Sequence, residues 1–94
     1  MPFYSKRLYK FVGYQKAINR GKKYDALLER KADKRIIRVP FGDSKYSNYQ
    51  DKTGLNLYTS TGDKEKKRLY RARHSKDLRP GFYSPGHFSY YILW

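Results

Sequence analysis

The chain of 94 residues has no cysteine, which excludes a disulfide framework and every thiolate metal site and leaves a small domain to rely on packing, a ligand or neighbouring subunits. No apolar run reaches signal-peptide or membrane-span length, so the sequence reads as a soluble intracellular product. Leu, Ile and Val are few. Gly42 and Gly54 stand alone, so no glycine-rich loop is present to cradle a phosphate. Residues 1–23 contain seven Lys or Arg and no acid, while the last fifteen, Pro80 to Trp94, contain no Lys, Arg, Asp or Glu at all.

What remains is charge and rings. The formal net charge is +14 and the pI about 10.1, which is a statement about partners. Nucleic acid is the commonest polyanion to match it; an acidic protein surface, such as the inside of a shell, is the rival. An anionic membrane fits less well, because the basic segments lack a strongly apolar opposing face. Aromatic residues number 17, of which six lie in the neutral tail. Each large ring buries about 150–250 Å², so rings must supply the core that aliphatic residues cannot.

The fold expected is α+β: one small domain with a β-hairpin, one basic helix and an aromatic C-terminal segment closing the core. Residues 1–23 interleave rings and cations, from Phe3, Tyr4, Lys6 and Arg7 through Tyr9, Lys10 and Phe11 to Tyr14, and read either as an extended binding arm or as a segment docked on its own domain over 24–94. A short helix over Tyr14–Asn19, closed by Gly21, is expected there. Tyr24–Arg30 and Arg35–Phe41 read as the hairpin strands, joined by the polar Lys31–Lys34. Pro40 cannot donate to a ladder and puts the second strand at an edge or bulge. Phe41–Ser44 reads as a turn.

Residues 44–62 are rich in Ser, Asn, Thr, Gly and Tyr and read as an irregular loop anchored by Tyr46, Tyr49, Leu55, Leu57 and Tyr58. Thr61 or Asp63 then caps a helix to about Ser75, with Asp63 and Glu65 at its dipole-favoured start. Lys64, Lys67, Arg68 and Arg71 fall on one helical face as a basic stripe, while Leu69 and Ala72 supply a narrow apolar strip elsewhere. Pro80-Gly81 and Pro85-Gly86 divide the tail into short pieces, and Phe88–Trp94 reads as a strand or short closing helix whose rings enter the core.

Catalytic residue types are sparse: His74, His87, Asp43, Asp51, Asp63 and Glu65, with no spacing that forces them together. Asp51–Asn56 alternates oxygen ligands but lacks the acidic density of a calcium loop. No cofactor, metal or small-molecule substrate is expected. The candidate polyanion contacts are Lys6, Arg7, Lys10, Lys64, Lys67, Arg68, Arg71 and Arg73.

The strings Val39-Pro40-Phe41-Gly42-Asp43, Tyr46 and Tyr49, Asp63 through His74, Gly81-Phe82-Tyr83-Ser84 and Ile92-Leu93-Trp94 resemble a family of small basic proteins encoded by large DNA viruses of eukaryotes, with similar strings in tailed phages. The resemblance covers about residues 39–94. Tyr83 stands where the family commonly has Trp, and Thr53–Gly62 is a longer insert. The resemblance implies a viral origin and a virion component, present in the host cytoplasm or nucleus during assembly, but no activity. The expected function is therefore a non-enzymatic virion protein whose Lys and Arg meet nucleic acid, DNA foremost, or acidic capsid partners. The alternatives are a minor capsid or cement protein that binds only other capsid proteins, and a small metal-dependent nuclease using Asp43, Glu65 and His74.

Overall fold

The computed structural model describes residues 3–45, 47–58 and 60–94. Tyr46, expected to anchor the central loop, lies outside them. The architecture is α+β. Strands β2 (Tyr9–Lys16), β3 (Lys22–Arg30) and β4 (Ile36–Asp43) form an antiparallel meander, and β1 (Tyr4–Ser5) pairs with β5 (Phe82–Tyr83) in a second, two-stranded sheet. Helix α1 spans Lys64–His74, followed by a single 3-10 turn, and α2 (Pro85–Phe88) runs on into a π-helical turn over Ser89–Leu93.

β3 and β4 are the expected hairpin, and Pro40 sits on the edge strand opposite Asp25, where its missing N–H costs no ladder bond. The polar connection closes through Asp33, whose carboxylate takes Arg30 in a two-pronged ion pair at 2.7–3.0 Å and accepts the Arg35 N–H. The Phe41–Ser44 turn begins later than expected, because Phe41–Asp43 continue the ladder with Phe41 facing Tyr24 and Asp43 facing Lys22.

Residues 3–23 are not a separate arm. β2 pairs with β3 from Tyr9↔Arg30 to Lys16↔Tyr24, and a boundary at residue 23 would cut β3. Val12 is an extra residue between Phe11↔Leu28 and Gly13↔Leu27. This bulge resets the side-chain alternation, so Phe11 and Tyr14 both reach the core, with ring centroids 4.7 Å apart. The helix expected over Tyr14–Asn19 is absent for the same reason: Tyr14–Lys16 finish the strand, and Asn19 builds the turn by accepting the Gly21 N–H on its side chain. β1 is held by the tail, with Tyr4 opposite Tyr83 and Ser5 opposite Phe82.

The core is largely aromatic. Tyr24, Ala26 and Leu28 of β3, Val39 and Phe41 of β4, and Phe88 and Leu93 of the tail are buried, with Phe11, Tyr14, Tyr58 and Tyr83 packed around them. Phe88 is the hub, 5.5 Å from Phe41, 5.9 Å from Phe11 and stacked on Tyr83 at 5.6 Å. Ser84 directs it there by capping α2 on the His87 N–H, with Pro85 preset for the first turn. The Leu93 carbonyl then accepts the Tyr49 and Gln50 N–H groups, and the Ile92 carbonyl that of Lys52, so the end of the tail organises the irregular loop. Among the described residues, no helix is long and apolar enough to cross a membrane.

Candidate nucleic-acid interface

α1 begins where expected: the Asp63 carboxylate accepts the Glu65 and Lys66 N–H groups at 3.0 and 3.2 Å. Its docking face differs from expectation. Leu69 and Ala72 are both exposed, and the helix instead lies on the body through Tyr70, stacked on Trp94 at 4.5 Å and 9°. That choice rotates the basic stripe. Lys67 places its ammonium 4.4 Å from the Tyr49 ring, while Arg71 lies 4.5 Å over Tyr90 and donates to the Trp94 carbonyl at 3.3 Å. Arg68 is paired with Glu65. Of the stripe, only Lys64 remains unengaged by ring or acid among the described residues, and Arg73 joins it as an exposed cation.

The other candidates separate as well. Lys10 is exposed on the outer face of the sheet, in register with Glu29. Lys6 and Arg7 lie in the turn after β1, and Lys6 sits 5.2 Å from the Tyr83 ring. Two cations that sequence reasoning did not single out join them: Lys31, whose Nζ donates to the Lys6 carbonyl at 3.3 Å, and Arg79, which lines a shallow 260 Å³ depression with Lys6 and His87. Chain order separates these residues, and the β1–β5 pairing and the β3–β4 turn bring them together, with the Lys6 N–H on the Gly81 carbonyl and the Lys31 N–H on the Leu8 carbonyl. His87 is half-buried there; desolvation, reinforced by the Lys6 charge, lowers its pKa from 6.5.

Between α1 and the start of β3 lies a larger cleft of about 550 Å³. Lys66, Tyr70, Arg73 and His74 line its helical wall, with Trp94 beside them and Lys23, Asp43 and Asn48 opposite. Lys23 is buried and donates to the Asn48 carboxamide; burial lowers its pKa, against the pull of the Asp51 and Asp43 carboxylates. His74 packs on Tyr70 at 4.4 Å, tilted by 36°, and meets Asp77 through Nδ1 at 3.2 Å. Asp43 and His74 thus share a cleft, whereas Glu65 is engaged with Arg68 on the first turn of α1, and no group of three metal-ligating side chains forms among the described residues. Lys66, Leu69, Tyr70, Arg73 and His74 fall at i, i+3, i+4, i+7 and i+8, so the helical wall is a stripe that the sequence spacing alone contains.

Among the described residues, Lys and Arg enter three ion pairs, Arg30–Asp33, Arg38–Asp25 and Arg68–Glu65. Most of the 22 basic side chains therefore have no carboxylate partner there. No family model, curated protein or solved structure matches this chain.

Proposed function

We propose that the protein binds nucleic acid, DNA foremost, without transforming it, as a small basic structural component of a virus particle. The observation that supports this most directly is the uncompensated charge: +14 on a surface of 6281 Å², with exposed cations around Lys6, Arg7, Lys31 and Arg79, on the solvent side of α1, and also spread over the sheet and its loops, as at Lys16, Arg20, Arg35 and Lys45. Such a surface contacts phosphates irrespective of base sequence. The resemblance of residues 39–94 to small basic proteins of large DNA viruses favours the virion as the setting for that activity. A filter-binding titration against duplex DNA over a range of salt tests the reading. Affinity falls linearly on a log–log plot with a slope of about 0.9 per phosphate neutralised, and scrambling the DNA sequence leaves it unchanged. Retention that ignores salt would sink the proposal.

The outer face of the meander favours a second reading, a minor capsid or cement protein. Val12 and Ile36 are 46% and 51% exposed on that face, and Ile18 beside it is 68% exposed. Apolar side chains grouped on an open sheet suit a protein partner. V12K and I36K would then abolish incorporation into particles while leaving DNA binding intact.

A further inference from the structure

Three rings form a continuous column along the large cleft. Tyr70 is sandwiched between Trp94, parallel at 4.5 Å, and His74, tilted by 36° at 4.4 Å. Tyr70 is held by a ring on each side, and all three rings of the column are partly covered. A stack of this kind can be extended by another flat ring. At the mouth stand the exposed cations Lys66 and Arg73, and the opposite wall offers the Asp43 carboxylate and the Asn48 carboxamide. The cleft's volume falls within the ordinary range of ligand sites, about 300–1,000 Å³.

We infer that this cleft receives one nucleotide of a single strand, its base stacked on the ring column and its phosphate held between Lys66 and Arg73. The inference deepens the nucleic-acid reading and rests on it. Cations alone would bind any phosphate chain; a ring column beside them discriminates in favour of an unpaired base, because the faces of paired bases in a duplex are already stacked on one another. The Asn48 carboxamide is already committed to Lys23 and the Gln50 carbonyl, and the Asp43 Oδ1 takes the Lys45 N–H, which leaves the Asp43 Oδ2 to accept an N–H from a base edge, such as the N3–H of thymine.

Trp94 is the single tryptophan of the chain, so its fluorescence reports on the cleft directly. The experiment titrates the full chain at low salt with an oligothymidylate of about eight nucleotides, an abasic strand of equal length, thymidine monophosphate and a DNA duplex. The base-bearing strand is expected to quench Trp94 and to bind about five- to 150-fold more tightly than the abasic one, the range of one base–aromatic stack. Ser47→Phe, at an exposed position lining the cleft, should remove the quenching and the advantage over the abasic strand without altering duplex affinity. Leu69→Phe, on the helical wall, provides the same block should S47F fail to fold. Equal affinity for base-bearing and abasic strands with unmoved fluorescence would overturn the cleft assignment while leaving phosphate binding in place. Quenching by the mononucleotide as strong as by the strand would overturn the assignment to a strand, and no binding of any polyanion would overturn the nucleic-acid reading with it.

Discussion

Gly42 and Leu93 approach so closely that a Cβ on the glycine would stand 2.8 Å from the Leu93 Cδ1. Gly42 also has φ of +77°, where side chains are strained whatever the space. The last residue but one of the chain is thereby seated on the end of β4, and its carbonyl organises the loop at Tyr49 and Gln50.

G42A should cost about 2–5 kcal/mol in urea unfolding, the sum of left-handed strain and overpacking. L93A should cost about 2–5 kcal/mol through its cavity. Because the truncated leucine makes room for the new methyl, the double variant is expected to be less destabilised than the two single losses combined. Strict additivity would show that the close approach is not the cause.

The Tyr24 hydroxyl joins sheet and loop: it donates to the Asp51 carboxylate and accepts the Leu57 N–H at 3.1 Å. For Asp51, burial works to raise the pKa, but bonds from Thr53 and Tyr24 and the Lys23 charge outweigh it and leave the pKa lowered. Y24F should therefore lose about 1–3 kcal/mol, with hydrogen-exchange protection falling first at Leu57. An unchanged denaturation midpoint would count against this link.

Cations of α1 divide by what they touch. K67A and R71A remove cation–ring interactions with Tyr49 and Tyr90 and should lower stability by about 0.5–2 kcal/mol. K64A and R73A should leave the melting temperature in place and reduce the salt slope of DNA binding by about 0.9 for each phosphate no longer neutralised. The reverse pattern, K64A melting early and K67A losing only DNA, would show that the helix docks by another face.

His87 makes stability pH-dependent. Its folded-state pKa is below 6.5, so the unfolded chain takes up a proton first on acidification. The contribution is complete above 6.5 and is lost as pH falls through the folded value. The melting temperature should fall between about pH 7 and about pH 5, and H87Q should flatten that decline relative to the parent. An equal slope in both would assign the effect elsewhere.

Local chemistry made several elements legible in advance. The hairpin, the Asp63 cap and the burial of Phe88 and Leu93 follow from short-range patterns: alternation bounded by a polar loop, a carboxylate before a helix, and a neutral ring-rich tail between Pro-Gly pairs. The alternation of β2 was masked by one extra residue, Val12, which put Phe11 and Tyr14 at a spacing that resembles a helix or an irregular arm.

The amino-acid sequence alone settled the charge, the α+β class and the need for an aromatic core, since each depends on composition or on neighbours a few residues apart. Tertiary structure decided which cations are available and which are engaged. Whether Lys67 meets solvent or Tyr49 depends on the rotation of α1, and that rotation follows from the stack of Tyr70 on Trp94, 24 residues further along the chain. The Lys6–Lys31–Arg79 cluster and the cleft beside Trp94 likewise exist only once the tail has closed against β1 and the end of β4, because contacts between distant segments carry no periodic signal along the chain.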